Sequence, residues 1–153
     1  MNDFIIKVRL ILEIDNKVLL LAQTTENGGK FTLPGGTVES KEYAKSTLLR
    51  ECKEELGIKL APDHLDLIHV LHKKNGRDNR ITLYFSASSY IGTLRARETK
   101  KFRGVTWCSI HRLPVKTSAT VKHVLGQVRL GERYSEFTKK SNLNLGDDKH
   151  MGW

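Results

Sequence analysis

Hydrophobic and polar residues along the chain follow two periods, one typical of β-strands and the other of helices. Loose alternation, or a short apolar run bounded by turn residues, predicts a strand. The predicted strands are Phe4–Ile14, Val18–Thr24, Lys30–Leu33, Leu65–Leu71, Arg80–Ala87 and Gly104–Ser109. Asn16-Lys17 and Asn75-Gly76 predict the turns that join two pairs of these strands into hairpins.

Two other segments have the apolar period of a helix. The first lies between Lys41 and Leu56, where Gly and Pro are absent. Its apolar face repeats every four residues, at Ala44, Leu48, Cys52 and Leu56. Gly57 is suited to the C′ position that ends this helix. A second helix is predicted at about Ser118–Leu130, with Ser118 as its N-cap.

The order of these elements predicts one α+β domain. Strands and helices are interleaved in a mixed order, which favours helices packed around a single sheet. The strongest break in the chain is Pro34-Gly35-Gly36, and Gly92–Arg103 is a basic loop. After Gly131 the composition turns polar, which predicts a loosely held tail. We therefore expect one domain over residues 1–137 and a polar tail over residues 138–153.

Composition and charge limit the class of protein. The 153 residues include 26 Lys plus Arg and 17 Asp plus Glu, a net charge of +9, which favours an anionic partner. No apolar run approaches the roughly 20 residues that span a bilayer, and charges near the N-terminus argue against a signal peptide. Cys52 and Cys108 fit neither a disulfide framework nor a zinc module. These features predict a cytoplasmic protein without a membrane partner.

The first predicted helix carries three acids on one side. Successive helical residues turn by about 100°, so Glu51, Glu54 and Glu55 fall within one arc of roughly that width. Two of these acids lie in the last turn, where the helix dipole favours cations by roughly 0.3–1 kcal/mol. Oxygen ligands grouped in this way suit a hard cation, Mg²⁺ or Mn²⁺. The alternative is a solvated charged face with Lys41, Lys45, Arg50 and Lys53 as partners.

The same stretch resembles the signature of the Nudix hydrolases. Gly36, Glu42 and the run Arg50-Glu51-Cys52-Lys53-Glu54-Glu55-Leu56-Gly57-Ile58 have the spacing of that signature. The only departure is Cys52 at an aliphatic position, a mild change because buried cysteine behaves as a small hydrophobic residue. The resemblance covers roughly residues 4–137. It implies an α/β/α sandwich around a mixed sheet, with the motif as loop–helix–loop, and metal-dependent hydrolysis of a nucleoside diphosphate linked to another group.

The resemblance also implies roles for individual residues. Glu51, Glu54 and Glu55 would face the metal, with Glu54 and Glu55 as the surest ligands, and the backbone at Gly35 and Gly36 would approach the metal and the substrate closely. Arg50 would hold Glu42 or Glu54 through a salt bridge, without touching substrate.

Seven residues outside the helix have two interpretations each. Glu98 is either the general base or an outer metal ligand, or else it only balances charge in a basic loop; otherwise the base is Glu51 or Glu54. Arg97 and Lys101 either bind outer phosphates or are solvated. Phe31, like Tyr84, Phe85 and Trp107, either stacks on a nucleobase or belongs to the core.

Several marks of particular Nudix subfamilies are missing, so a nucleoside triphosphate pyrophosphohydrolase fits best. Lys73 and Lys74 stand roughly where a Pro or Tyr would suggest hydrolysis of ADP-ribose or dinucleoside polyphosphates. An RNA 5′-pyrophosphohydrolase of the decapping type would use the same site together with the basic loop and tail. A non-catalytic nucleic-acid-binding module would use the charge but would leave the three acids unexplained. The protein is expected to be a monomer or a homodimer.

Overall fold

The computed structural model describes residues 4–138, which form eight strands, two α-helices and two short 3₁₀ turns. The strands are β1 (Phe4–Ile14), β2 (Lys17–Gln23), β3 (Phe31–Thr32), β4 (Gly35–Thr37), β5 (Asp66–Asn75), β6 (Asp78–Ala87), β7 (Phe102–Ser109) and β8 (Tyr134–Thr138). The helices are α1 (Ala44–Leu56) and α2 (Ala119–Arg129). Within the described range, no helix is long and apolar enough to cross a membrane.

Strand β1 connects the two parts of a mixed sheet. The strand order is β3-β2-β1-β6-β5-β8, with β4 also paired to β1 and β7 to β2. The β1–β6 and β5–β8 pairs are parallel, and the remaining pairs are antiparallel. Strand β1 pairs with β2 only at Glu13 and Ile14. Its earlier residues are therefore available to β4 on one side and to β6 on the other.

One helix covers each face of the sheet. Val8, Leu10 and Leu12 of β1 pack with Leu48, Cys52 and Leu56 of α1. Ile11 of β1 packs on the opposite face with Val121, Val124 and Leu125 of α2. Each of these side chains is at most 4% exposed, and full burial of a leucine is worth about 1.5–3 kcal/mol. The predicted α+β fold, with helices on both sides of a mixed sheet, is confirmed.

The ends of both helices agree with the sequence. Helix α1 ends at Gly57, whose φ is +72° and whose N–H donates to the Lys53 carbonyl at 3.0 Å. A left-handed residue of this kind is favoured by glycine, which has no Cβ. Helix α2 begins after Ser118, whose Oγ accepts a hydrogen bond from the N–H of Val121 at 3.2 Å. Both predicted caps are confirmed.

Three local predictions were wrong. The first hairpin turns at Asp15 and Asn16, which have φ of +54° and +63°, so Lys17 already belongs to β2. Positive φ at both central residues is typical of the type I′ turn that joins two-residue hairpins. The second hairpin turns at Gly76 and Arg77, so Asn75 still belongs to β5. Gly35 and Gly36 form part of β4, not a loop, because they pair with Arg9 and Val8 of β1.

The polar segment after Gly131 contains a strand that the sequence did not predict. Strand β8 pairs in parallel with β5, and its second residue, Ser135, is only 5% exposed. The Ser135 hydroxyl lies 2.8 Å from Nε2 of His69 and 2.9 Å from Nε2 of His123. The buried Ser135 hydroxyl thus has two hydrogen-bond partners, His69 and His123. A pattern of hydrophobic residues does not reveal such contacts. The tail predicted for residues 138–153 lies outside the described residues after Thr138, and the domain boundary stays a prediction.

Candidate functional site

The backbone of β4 lies directly against the side chain of Glu51 in α1. A Cβ atom on Gly36 would lie 2.5 Å from Cδ of Glu51 and 2.6 Å from its Oε1. Gly36 is also paired with Val8 in the sheet, which limits its movement away from the helix. A side chain at this position would displace the Glu51 carboxylate, whereas glycine leaves it in place.

The preceding glycine fixes a second carboxylate. The N–H of Gly35 donates a hydrogen bond of 3.0 Å to Oε1 of Glu55. Gly35 has a φ of +148°, and a Cβ atom there would collide with the carbonyl oxygen of Val8. Glu55 is only 4% exposed although it is an acid. The Gly-Gly pair thus lets β4 approach both β1 and the two glutamates.

The basic loop Gly92–Arg103 brings a third carboxylate to the end of α1. The N–H of Arg97 donates to the carbonyl of Glu55 at 2.8 Å, and the N–H of Arg95 donates to the carbonyl of Leu56 at 3.2 Å. Both carbonyls belong to the last turn of the helix, where intrahelical donors are lacking. The loop therefore caps α1 through its backbone, and this contact holds Glu98 beside the helix.

Glu51, Glu55 and Glu98 form a compact group, here called the carboxylate triad. One carboxylate oxygen from each lies within 4.8 Å of the others. Glu54 is not part of this group: its side chain is 50% exposed and its Oε1 lies 3.4 Å from Nη1 of Arg50. The structure therefore brings three of the predicted acids together and leaves Glu54 at their edge.

The triad has the donor chemistry of a hard divalent cation. Burial raises the pKa of Glu55 to about 8; the Glu51 carboxylate acts in the same direction, and the Gly35 hydrogen bond opposes them. Burial also raises the pKa of Glu51, and the positive charge of Arg50 lowers that pKa only in part. Crowded, partly desolvated carboxylates of this kind fit Mg²⁺ or Mn²⁺, which prefer oxygen ligands. The triad would hold the ion, and the resemblance adds Gly36 and Glu54 as predicted ligands.

We expect Glu55→Gln to stabilise the metal-free protein at alkaline pH. The folded-state pKa of about 8 exceeds the ordinary value of 4.5, so ionised Glu55 disfavours the folded state. This penalty is absent below pH 4.5, grows as the pH rises toward 8 and is complete above it. We expect a gain of about 1–3 kcal/mol above pH 8, because burying the extra amide N–H groups offsets part of it.

Denaturation in EDTA at pH 5 and pH 8.5 measures this effect. Added Mg²⁺ should then stabilise the wild type more than the variant, since cation binding needs the ionised carboxylate. A variant less stable than the wild type at pH 8.5 in EDTA would contradict the account.

Arg50 orders the acids around the triad. Its Nε and Nη2 donate to the two oxygens of Glu42 at 2.8 Å and 3.0 Å, a bidentate pair. Its Nη1 lies 3.1 Å from Oε1 of Glu51, and Glu54 is its third partner. The hydrogen bond from Arg50 lowers the pKa of Glu42 to about 2. The predicted salt bridges of Arg50 are present, and its role in catalysis stays a prediction.

Arg50→Lys should lower kcat strongly and leave KM nearly unchanged. Lysine keeps the charge. It lacks the planar fork that binds both oxygens of Glu42 and, at the same time, Oε1 of Glu51. Without that fork, Glu51 should no longer be held in its position. We therefore expect turnover to fall about tenfold or more. Steady-state kinetics of wild type and variant measure both constants. A change confined to KM would instead indicate direct contact with substrate.

The other predicted site residues lie near the triad or pack elsewhere. The Lys101 ammonium lies 3.5 Å from Oε2 of Glu98, and its side chain is 61% exposed. The Arg97 side chain packs on Gly57, where an added Cβ would lie 2.8 Å from its Cδ. The guanidinium of Arg103 lies 5.3 Å from the centroid of the Phe31 ring. The roles of Arg97, Lys101 and Phe31 in binding substrate remain predictions.

Two of the predicted stacking candidates belong to the core. Tyr84 is 2% exposed and Phe85 is 5% exposed, so neither ring offers a free face. Lys7 and Arg9, which the sequence did not predict as site residues, interrupt the apolar pattern of β1 close to Gly35 and Gly36. The detectable signal was a pair of cations at alternate positions of a central strand.

One protein-family model matches the part of the chain that contains β4, α1 and most of the sheet. The model of the NUDIX domain covers residues 5–127. The chain belongs to the Nudix hydrolase family. Glu51 and Glu55 lie in the stretch that resembles the Nudix signature, whereas Glu98 lies outside that stretch and reaches them through the loop.

Two relatives share clear sequence similarity with this Nudix chain. The ADP-ribose pyrophosphatase of Methanocaldococcus jannaschii is 35% identical over 94 residues, which are 60% of this chain and 54% of that protein. The CTP pyrophosphohydrolase of Escherichia coli is 31% identical over 104 residues, which are 67% of this chain and 73% of that protein. The chain thus spans about half the length of the first relative.

Solved structures of other proteins share the fold. The MutT Nudix hydrolase from Burkholderia pseudomallei has a TM-score of 0.74 at 24% identity, covering 82% of this chain and 98% of that one. The Escherichia coli ORF135 protein has a TM-score of 0.72 at 24% identity, covering 84% and 90%. Both comparisons agree with a mixed sheet between two helices.

Proposed function

We propose that this Nudix protein is a divalent-metal-dependent pyrophosphohydrolase that converts a nucleoside triphosphate and water into a nucleoside monophosphate and pyrophosphate. The observation that carries the proposal is the carboxylate triad, three acids held within 4.8 Å of one another beside the backbone of Gly35 and Gly36. Such a group costs stability unless a cation offsets it, which argues for a functional site. A cytoplasmic location and a monomeric or homodimeric state remain predictions from the sequence.

The reaction needs positive charge on the phosphates and a base for water. A bound divalent cation supplies that charge and makes the attack of water on phosphorus easier. Glu51, Glu55 and Glu98 would hold the ion, and the backbone of β4 would allow the phosphates to approach closely. The oxygen of water bonds to phosphorus, the bridging P–O bond breaks, and the chain forms no covalent intermediate.

Two carboxylates compete for the proton that water loses. Glu98 extends from the loop, its side chain is 30% exposed, and among residues 4–138 its one ion pair is with Lys101 at 3.5 Å. Glu51 is 17% exposed, and its Oε1 is already bonded to Nη1 of Arg50 at 3.1 Å. We propose Glu98 as the general base and Glu51 as the alternative.

Similarity supports a nucleotide as substrate. The relatives are named for ADP-ribose and CTP, which share a nucleoside diphosphate linked to a further group. The CTP pyrophosphohydrolase covers more of this chain, and Lys73 and Lys74 disfavour the ADP-ribose type in the sequence. A nucleoside triphosphate is therefore the substrate class that we propose.

A basic surface favours 5′-triphosphorylated RNA as a second candidate substrate. A cavity of about 680 Å³ lies between the Thr25–Asn27 turn and the start of α2. Four cations line it: Lys30, Arg103, Lys116 and Lys122. None of its lining residues in the described part of the chain is acidic, so it suits the phosphates of a polynucleotide.

A screen of nucleotides with Mg²⁺, followed by identification of the products, tests the proposal. The library should contain the common nucleoside triphosphates, ADP-ribose and a short RNA with a 5′-triphosphate. We expect pyrophosphate and a nucleoside monophosphate from at least one triphosphate, and no product in EDTA. Release of pyrophosphate only from RNA would select the second candidate. Oligonucleotide binding that is steeply salt-dependent, without any turnover, would contradict both.

A further inference from the structure

Basic side chains gather on the sheet face opposite to α1. Lys7 and Arg9 alternate in β1 with Val8 and Leu10, which pack toward α1, so the two cations lie on the other face. In the neighbouring strand β6, Arg80 pairs with Ile5, two residues before Lys7. On this face α2 packs on Ile11, Tyr84 and Leu71, farther along the strands.

Lys7 is a half-buried cation whose neighbours share its charge. Its ammonium group makes no hydrogen bond or ion pair within residues 4–138. Burial lowers the pKa of Lys7 to about 8, and the positive charges of Arg9 and Arg80 act in the same direction. The carboxylates of Asp78 and Glu51 oppose this shift without reversing it. The site is therefore short of negative charge.

Arg80 has a donor without a partner in the same area. Its Nη2 is paired with Asp78 at 2.8 Å, but its Nε is buried and has no hydrogen-bond acceptor among the described residues. Arg9 is engaged differently, since its Nη1 donates to the carbonyl of Leu33 at 3.0 Å. A buried donor without an acceptor is costly, and an anion bound beside Arg80 would supply the missing acceptor.

The cations are close to the carboxylate triad. Lys7 pairs with Thr37, which directly follows Gly36, the residue that contacts Glu51. The charge of Glu51 acts on Lys7, and the charge of Arg9 acts on Glu55. Strand β4 therefore lies between Lys7 and the triad, and a polyphosphate that contacts both would pass over this strand.

We propose that Lys7 and Arg80 bind a phosphate group of the substrate other than the one attacked at the triad. This inference rests on the proposed function and narrows it to nucleotides with at least three phosphates, because a diphosphate linked to a neutral group lacks that further charge. Lys7 and Arg80 are then binding residues for the distal phosphate, and they do not take part in proton transfer.

Lys7→Met tests the proposal without turnover. Methionine keeps the shape of the side chain and removes the charge, and Lys17→Met removes the same charge from an exposed position in β2. The probe is inorganic pyrophosphate in metal-free buffer, with binding measured by calorimetry. We expect Lys7→Met to weaken binding about tenfold or more, Lys7→Arg to retain most of it, and Lys17→Met to change it less than about twofold. In denaturation experiments, Lys7→Met should be at least as stable as the wild type.

Several results would overturn the proposal. These are no measurable pyrophosphate binding by the wild type, equal losses in Lys7→Met and Lys17→Met, or unchanged binding in Lys7→Met. If Lys7→Met fails to fold, a second measurement replaces it: bound pyrophosphate should protect the Lys7 amine of the wild type from an acylating reagent. Absence of this protection would overturn the proposal.

The outcome also separates this inference from the proposed function. Weakened pyrophosphate binding in Lys7→Met, with no metal-dependent turnover of any nucleotide by the wild type, would retain the anion site and reject the hydrolase. Metal-dependent turnover by the wild type, together with unchanged pyrophosphate binding in Lys7→Met, would retain the hydrolase and reject the anion site. Among substrates, Lys7→Met should reduce kcat/KM for a nucleoside triphosphate more than for ADP-ribose, and equal reductions would contradict the assignment to the distal phosphate.

Discussion

Glu55→Gln is expected to lower turnover at least about 10²-fold. Glu55 is the most buried member of the triad, and the Gly35 N–H fixes its Oε1 at 3.0 Å. Glutamine preserves that hydrogen bond but removes the negative charge that would hold the cation. Changes even around the direct ligands of a metal cost roughly 10- to 100-fold, so loss of a ligand should cost no less.

Steady-state rates with Mg²⁺ at saturating substrate test this prediction. Glu13→Gln at the exposed end of β1 is the matched control, since it makes the same chemical change outside the site. The control should retain nearly full activity. A rate for Glu55→Gln within a few-fold of the wild type would remove Glu55 from the metal site. The stability gain expected for the same variant in EDTA shows that lost activity does not come from unfolding.

Glu98→Gln should reduce kcat by roughly 10²–10⁴-fold if Glu98 is the general base. The base must be ionised to accept a proton, so the wild-type rate should fall on the acidic side of its pH profile. In the variant this acidic limb should flatten because the titrating group is gone. Because Glu98 also belongs to the carboxylate triad proposed to hold the ion, the affinity for Mg²⁺ should fall together with kcat.

The pH dependence of kcat for wild type and variant decides where the base lies. Glu26→Gln, an exposed change in the neighbouring 3₁₀ turn, provides the control and should leave the profile unaltered. A loss below about tenfold with the acidic limb retained would fit an ordinary exposed ion pair between Glu98 and Lys101. The base would then lie on α1, with Glu51 as its carrier.

Local sequence signals were sufficient for the helix that carries the site. The four-residue apolar period and Gly57 predicted α1 and its end, and the spacing of Glu51 and Glu55 placed both acids on one side. The three-dimensional arrangement of the acids was harder to predict. Glu54 occupies the same arc on the helix but is held by Arg50, because neighbouring side chains and not helical angle decide where a carboxylate lies.

The remaining parts of the site depend on contacts between distant segments. Glu98 reaches α1 because backbone N–H groups of its loop bond to the carbonyls of Glu55 and Leu56, and such bonds leave no trace in side-chain patterns. The strand at Gly35 and Gly36 reads locally as a break because glycine and proline usually interrupt structure. These residues form a strand because they pair with β1, and the periodicity of a sequence does not reveal such a pairing.

Titration of the metal-free protein with Mn²⁺, followed by electron paramagnetic resonance of the free ion, most directly tests whether the triad holds a divalent cation. The account predicts that the wild type binds Mn²⁺ and that Glu51→Gln, Glu55→Gln and Glu98→Gln each weaken binding about tenfold or more. Glu13→Gln should bind as the wild type does. Equal Mn²⁺ affinity in the wild type and all three triad variants would contradict the assignment of this site.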